Sequence, residues 1–306
     1  MADKSEREKR RLGWHEEVRE VPKAGSLIVF IHGLGGNYKK TWGEFPDFLE
    51  QDDKFNNTDI YLFGFKSGFL RFFVSPIEAL GQRLRTVLLD ASCKYEQITV
   101  ISHSLGGLVV KEAIASILKT GDAHRVNLHH AIFCSTPHLG SVTARFLAFL
   151  GGHINQLKVL QPKIIDAHTL WLARINSHKT SPNDIVHERY SKNIDITNIW
   201  ASNDRIVSFG NATALPSQHT ITIEGSHTMM VKPETMDHHV YTTLSEQLVK
   251  APVPKPIESS PSIQILADSA KLGDELKILN TLEIPVKYRA LVKRVELKNS
   301  ESEGEQ

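Results

Sequence analysis

The chain has 306 residues, of which 41% are hydrophobic and 23% charged, so it is long enough and apolar enough to bury a sizeable core. Its 36 Lys and Arg residues nearly balance its 35 Asp and Glu residues, which gives no reason to expect nucleic acid as a partner. The 2 cysteines are too few for a disulfide framework, and this favours a reducing compartment.

The N-terminal segment is charged. Residues 1–23 contain no apolar run of the kind that forms a secretory signal, and we expect them to be an N-terminal extension. Elsewhere no apolar stretch approaches the ~18 residues that a membrane-spanning helix requires. Together with the low cysteine content, these features predict a cytoplasmic protein.

From residue 26 to residue 249, short apolar runs alternate with helical patterns. The runs that predict buried strands are 26–31, 59–65, 97–102, 129–135, 195–202 and 219–225. Helical spacing of apolar residues predicts helices over 75–92 and 105–118, and a further helix that opens at Pro233. This alternation is typical of a mostly parallel sheet with helices on both faces, and it indicates an α/β domain at residues 24–250.

Residues 138–193 form a predicted helical insertion between two strands of that sheet. Its large apolar side chains are Phe146, Phe149, Leu150, Leu170, Trp171 and Leu172. They are consistent with a cap that closes over an acyl chain and equally with a pair of helices packed against the sheet. Contact with a membrane surface, as a further hypothesis, rests only on these apolar residues.

After residue 250 the composition changes. Residues 251–261 are rich in proline and are predicted to be a linker. Residues 262–306 mix apolar and charged positions without a regular period, and they end in a polar segment. The pattern predicts no particular structure for this tail, which is a candidate attachment point for a protein partner.

A serine lies among small residues in the sequence SHSLGG, residues 102–107, where a predicted buried strand meets a predicted buried helix. Nucleophilic serines are held on such a sharp turn in the pattern G-x-S-x-G. Here Ser102 replaces the first glycine, which is a mild departure because serine is only slightly larger. Gly106 and Gly107 allow the helix to approach the neighbouring strand closely. We therefore predict that Ser104 is a nucleophile.

A nucleophilic serine requires a histidine base and an acid that orients the base. In the fold with this type of turn, the acid follows a late strand and the histidine comes after the acid in the chain. Asp204 follows the run at 195–202, and His227 follows the run at 219–225. We predict that His227 takes the serine proton and that Asp204 holds the imidazole in the required tautomer.

Other acids and histidines fit this order less well. Asp184 lies in the insertion, and Asp195 precedes its strand. His238 and His239 are expected inside the last helix, where their side chains are poorly placed to reach the serine. His32 is expected to be structural and to bond carbonyl groups of its loop.

Backbone N–H groups are predicted to bind the oxyanion that forms during the reaction. One is the N–H of Leu105 at the start of the helix, and the other is the N–H of Leu34 in the glycine-rich loop HGLGG. His103 and His138 are predicted to line the substrate site. No spacing of histidines and carboxylates indicates a metal site, so we expect neither a metal nor a cofactor.

Three motifs, FIHGLGG, HSLGGLVVKEAI and STPHLGS, together resemble the α/β-hydrolase superfamily. More narrowly, they resemble the serine-active-site lipase-like esterases related to GPI inositol deacylase. The resemblance covers about residues 24 to 250 and neither the N-terminal extension nor the tail. It implies the α/β-hydrolase fold and hydrolysis of an ester without metal or cofactor. The insertion at residues 138–193 is the candidate helical cap of that fold.

These observations predict a serine hydrolase that cleaves a carboxylic ester or thioester, lipid or acylated substrates included, through an acyl-enzyme. An alternative hypothesis is a hydrolase-fold binding or effector module that is attached to partner domains through its C-terminal tail.

Overall fold

The computed structural model describes residues 8–11, 16–33, 35–65, 77–140, 154–177 and 185–249. Several predicted features lie outside this described part of the chain: Leu34, Phe146, Phe149, Leu150, Asp184, the linker at 251–261 and the tail at 262–306. Among the helices within the described ranges, none is both long and apolar enough to span a bilayer.

Eight strands within the described residues form one sheet in the order β1-β2-β4-β3-β5-β6-β7-β8. They are β1 Glu8–Arg11, β2 Glu17–Glu20, β3 Ser26–Ile31, β4 Thr58–Phe63, β5 Gln97–His103, β6 Leu128–Cys134, β7 Asp195–Ala201 and β8 His219–Ile223. From β4 across to β8 all neighbouring strands are parallel, whereas β2 pairs antiparallel with both β1 and β4. All six predicted strands are present, with their ends shifted by two residues at most.

The first two strands differ from the prediction, because β2 joins the sheet upstream of the expected domain boundary at residue 24. Its sequence EVRE has no apolar alternation, and ion pairs hold it in place instead. The buried Arg19 guanidinium lies 2.8 Å from a carboxylate oxygen of Glu17, 2.8 Å from Asp47 and 2.5 Å from Glu50. A charged strand stabilised in this way carries no hydrophobic signal in its sequence.

The described helices are α1 Phe45–Gln51, α2 Ile77–Ser92, α3 Gly106–Thr120, α4 Ile154–Arg174, α5 Ile185–Tyr190, α6 Phe209–Ala212 and α7 His239–Val249. Two of them differ from the sequence prediction. A loop was expected where α1 forms, and the last helix begins at His239 rather than at Pro233. Before α7 the chain forms a turn closed by the His238 N–H, which donates to the Thr235 carbonyl oxygen.

Both faces of the sheet are covered, because successive residues of each central strand point to opposite sides. In β3, Val29 and Ile31 pack into the core formed with α2, α3 and α4, whereas Phe30 packs into the core formed with α1 and α7. This is the expected mostly parallel sheet between two layers of helices, and the predicted α/β-hydrolase fold is confirmed.

The described part of the insertion packs against the sheet. Trp171 of α4 is buried, and its ring lies 5.7 Å from the ring of Phe133 in an edge-to-face arrangement. The Trp171 indole N–H also donates to the Lys111 carbonyl oxygen of α3 at 3.0 Å. For this residue the structure therefore matches the alternative of a helix packed on the core rather than a cap.

The turn between β5 and α3 leaves no room for side chains at its glycines. A Cβ atom added to Gly106 would lie 2.5 Å from the carbonyl oxygens of both Ile31 and His32. These oxygens belong to the backbone at the end of β3 and cannot move aside as a side-chain tip would. The close contact sets the start of α3 directly against the neighbouring strand.

Replacing Gly106 by alanine is therefore expected to destabilise the protein by about 3 kcal/mol or more, because the added methyl group overpacks a rigid site. The free energy of unfolding in denaturant measures this loss. Gly210 is the matched control, since a Cβ atom there would meet no heavy atom within 4 Å, and its alanine variant should retain wild-type stability. Equal stability of the two variants would show that the packing at Gly106 is looser than described.

Candidate active site

Ser104 lies on the sharp turn that follows β5. Its φ angle is +53°, in the left-handed region that non-glycine residues adopt at a cost of about 1 kcal/mol. The conformation is held by a hydrogen bond in which the Ser104 N–H donates to the Cys134 carbonyl oxygen at 2.9 Å. The serine thus sits at the carboxyl edge of the sheet, between the end of a strand and the first turn of α3.

His227 reaches the serine from the loop after β8. Its Nε2 lies 3.0 Å from the Ser104 Oγ, although the two residues are 123 positions apart. The serine hydroxyl donates this hydrogen bond, because the other ring nitrogen of His227 is occupied as a donor. The base predicted from chain order is therefore placed within hydrogen-bonding distance of the predicted nucleophile.

Asp204, in the loop after β7, orients that imidazole. The His227 Nδ1–H donates to the Asp204 Oδ2 at 2.7 Å. The second carboxylate oxygen, Oδ1, accepts the backbone N–H groups of Ile206 at 2.8 Å and Val207 at 2.9 Å. These bonds hold the carboxylate in place, and Ser104, His227 and Asp204 are joined by two successive hydrogen bonds.

The surroundings of Asp204 keep its carboxylate ionised. Burial alone would raise its pKa, but the hydrogen bond and charge of His227, the Val207 N–H and the Ser135 side chain together hold the pKa below its usual value. Ser135 was not identified from the sequence as part of this site. Its place directly after β6 was the available signal, since the carboxyl ends of parallel strands converge at one edge.

The loop after β3 lies directly against the serine. A Cβ atom built on Gly33 would lie 2.9 Å from the Ser104 Cβ and 3.5 Å from the Leu105 nitrogen. Among the described residues, no acceptor is bound to the Leu105 N–H. This places one of the two predicted oxyanion donors beside the nucleophile. The other, Leu34, adjoins Gly33 but lies outside the described residues.

His32 has the structural role expected of it. Its Nδ1–H donates to the Gly33 carbonyl oxygen at 2.8 Å, and its Nε2 accepts the Phe65 N–H at 3.1 Å. The ring also stacks on Phe65, with centroids 4.0 Å apart. With both ring nitrogens bonded to backbone groups, His32 fixes the loop that approaches the nucleophile.

His138, predicted to contact substrate, is instead entirely buried in the core. Its Nε2 bonds the Asn198 side-chain oxygen at 3.1 Å, and its carbonyl oxygen accepts a hydrogen bond from the Lys111 Nζ at 2.9 Å. Lys111 also donates to the His168 Nδ1 of α4 at 2.8 Å. These bonds tie the segment after β6 to α3 and α4, so the structure gives His138 a packing role and no open path to a substrate.

Three buried histidines are expected to make the fold sensitive to acid. Burial, and next to it the charge of His227, lowers the pKa of His103 to about 3. Burial, and next to it the charge of Lys111, lowers the pKa values of His138 and His168 well below the usual value. Below about pH 6.5 the unfolded chain takes up protons on these rings that the folded protein does not. Stability is therefore fully present above that pH and is lost as the pH falls.

The free energy of unfolding should decrease by about 2 kcal/mol per buried histidine between about pH 7 and pH 5. Denaturant titrations across this window measure the slope, and the window lies above the usual titration range of carboxylates. A free energy of unfolding that stays constant across it would contradict the neutral, buried state of these rings.

The rival acids and histidines lie elsewhere. Asp195 begins β7, at the end of the sheet opposite to the serine, where its carboxylate lies 3.9 Å from His219. His239 begins α7 and bonds the Glu224 carbonyl oxygen at 3.0 Å. Within the described ranges, no group of three or more His, Cys, Asp or Glu side chains is arranged to hold a metal ion.

Comparison with known proteins identifies relatives among lipases. A putative lipase of Schizosaccharomyces pombe is 26% identical over 242 residues, which cover 73% of this chain. Because the match covers 30% of the relative, the chain spans less than a third of that protein's length.

Two solved structures are similar to the chain at low sequence identity. The Paleococcus ferrophilus monoacylglycerol lipase is similar over 78% of this chain and 99% of its own, with 16% identity and a TM-score of 0.48. A lipase-esterase related protein from Clostridium acetobutylicum is similar over 75% of this chain and 96% of its own, with 14% identity and a TM-score of 0.45.

A family model described as "Putative serine esterase (DUF676)" matches residues 22–217. The matched region begins before β3 and extends past α6, so it contains the serine and the aspartate, whereas β8, His227 and α7 follow it. The chain belongs to this family of lipase-like and esterase-like hydrolases.

Proposed function

We propose that the chain is a serine hydrolase that cleaves a carboxylic ester or thioester through an acyl-enzyme. The main evidence for this proposal is the pair of hydrogen bonds that joins Ser104, His227 and Asp204 at one edge of the sheet. Membership in a serine esterase family supports the same reaction class.

In the proposed reaction, the Ser104 Oγ attacks the ester carbonyl carbon while His227 Nε2 takes the hydroxyl proton. The carbonyl π electrons move to the oxygen, and the tetrahedral intermediate then collapses. As it collapses, His227 returns the proton to the leaving alcohol or thiol. His227 then deprotonates a water molecule that attacks the acyl carbon. As the bond between that carbon and the Ser104 Oγ breaks, His227 returns the proton to the Oγ, which releases the acid and restores the serine. Asp204 stabilises the charged imidazole throughout.

The developing oxyanion requires donors that are already in place. The Leu105 N–H lies next to the nucleophile at the start of α3, where the helix dipole also favours negative charge. We propose the Leu34 N–H as the second donor, because it belongs to the loop whose Gly33 packs against Ser104.

Apolar side chains near the catalytic loops favour a substrate with a hydrophobic part. Phe209, five positions after Asp204, is 49% exposed, and Met229, two positions after His227, is 45% exposed. Because each side chain follows a member of the triad within a few residues, we propose that both contact the apolar part of the ester. The relative from Schizosaccharomyces pombe, a putative lipase by name, is consistent with esters of this kind.

The test is a panel of carboxylic esters and acyl thioesters of graded chain length. We expect the purified protein to hydrolyse at least one member and to release acid and alcohol or thiol in equal amounts. Prior treatment with a fluorophosphonate should abolish the turnover. A folded protein that hydrolyses no member of the panel would contradict the proposal and would favour a binding or effector module.

A further inference from the structure

We propose that His103 is a positioning residue that holds the base of the reaction against the nucleophile. This inference rests on the proposed function of Ser104 and His227. It assigns His103 a role different from the substrate contact predicted from the sequence. The hydrogen bond concerned is separate from the two that join Ser104, His227 and Asp204.

The bond joins the strand that carries the nucleophile to the loop that carries the base. His103 is the last residue of β5, and its Nε2–H donates to the His227 carbonyl oxygen at 2.7 Å. The two residues are 124 positions apart in the chain. Their rings also lie in contact, with centroids 4.7 Å apart and planes inclined by 48°.

This bond restrains a part of His227 that its other partners do not hold. Ser104 and Asp204 both bond to the imidazole ring, whereas His103 bonds to the backbone. The chain around His227 is a turn rather than a strand, in which the N–H groups of Met229 and Met230 share the Ser226 carbonyl oxygen. A backbone anchor at His227 therefore limits how far this loop can carry the imidazole from the serine.

The chemistry of His103 suits a permanent donor. Its side chain is buried, with the residue 6% exposed, and burial together with the neighbouring His227 lowers its pKa to about 3. The ring is therefore neutral at physiological pH and adds no positive charge beside the imidazolium that forms at His227. Its Nε2–H tautomer is fixed by the carbonyl acceptor. A neutral donor can hold the base without opposing its protonation.

The experiment compares two substitutions of His103 in the full chain, on an ester that the wild-type protein hydrolyses. His103→Leu removes the donor, whereas His103→Gln supplies an amide N–H of similar reach. We expect His103→Leu to lower kcat about 10- to 100-fold with KM changed less than about twofold, because misplacement of a catalytic group by about 1 Å has effects of this size. His103→Gln should recover most of the lost kcat.

His130→Leu is the matched control. His130 is also buried, and its Nε2 bonds the Thr197 hydroxyl of the neighbouring strand at 2.9 Å, but it lies in the first half of β6, away from the serine. Activities are compared at equal intervals below each variant's thermal midpoint. The control should lose stability and keep its kcat.

Each outcome has a distinct meaning. If His103→Leu keeps its kcat, as the control His130→Leu is expected to do, the bond has only a structural role and the proposal is overturned. A raised KM with unchanged kcat would overturn it in favour of a substrate contact. If Ser104→Ala kept full activity, the proposed function itself would fail, and this result is independent of either His103 variant.

Discussion

Replacing Ser104 by alanine is expected to lower kcat for ester hydrolysis by at least about 10³-fold, because the variant has no oxygen with which to form an acyl-enzyme. The fold should survive the change. Alanine removes only the hydroxyl group, whose described partner is the His227 Nε2, and the backbone bond from the Ser104 N–H to Cys134 is retained.

The measurement is steady-state hydrolysis of the best ester in the panel, accompanied by the thermal unfolding midpoint of each protein. Wild-type and alanine proteins should unfold within a few degrees of each other. Turnover by the alanine variant at the wild-type rate would show that a different group attacks the ester, whereas a large fall in midpoint would make the loss of activity uninformative.

Replacing Asp204 by asparagine is expected to lower kcat about 10³- to 10⁴-fold while leaving the loop geometry intact. The amide oxygen can keep the two hydrogen bonds from the Ile206 and Val207 N–H groups. The amide nitrogen then faces the His227 Nδ1 and donates to it. The imidazole proton is consequently displaced to Nε2, which can no longer accept the proton of Ser104.

Asp195→Asn provides the comparison for this second substitution. Asp195 is also a buried carboxylate and was a rival for the same role, but it stands at the opposite end of β7. Its asparagine variant should keep kcat near the wild-type value, whatever stability it loses. If both variants lost activity to the same extent, orientation of His227 by Asp204 would not explain the effect.

The site was predictable from the sequence to the extent that chain order determines position in this fold. Parallel strands end at one edge of the sheet, so residues that directly follow β5 and β7 and the loop after β8 had to converge there. Ser104, Asp204 and His227 satisfy this requirement, and the structure brings them within hydrogen-bonding distance. Their catalytic roles remain a prediction.

Contacts that depend on burial were not predictable in the same way. The sequence shows that His138 follows a strand, but not that its ring turns into the core toward Asn198. For His103, proximity to the serine suggested a substrate contact, whereas the partner of its ring is a carbonyl group 124 positions away. Side-chain direction after a strand depends on tertiary packing, which residue spacing does not report.

The fold likewise has elements that the sequence predicts and elements that it does not. β3 is apolar from Leu27 to Ile31 because both of its faces are covered, and such a run is visible in any sequence. β2 is charged, and its place in the sheet depends on the partners of Arg19 in α1 and in β2 itself. Ion pairs between residues distant in the chain have no periodic signature, so this strand and its domain boundary were missed.

The most direct test of the central claim is the mass of the peptide that contains Ser104 after reaction with a fluorophosphonate, which traps serine nucleophiles activated by a neighbouring base. We expect a single phosphonyl adduct on Ser104 in the folded wild-type protein and no adduct in His227→Ala, in which the serine is intact but its base is missing. An adduct on another residue, or equal labelling of Ser104 in both proteins, would contradict it.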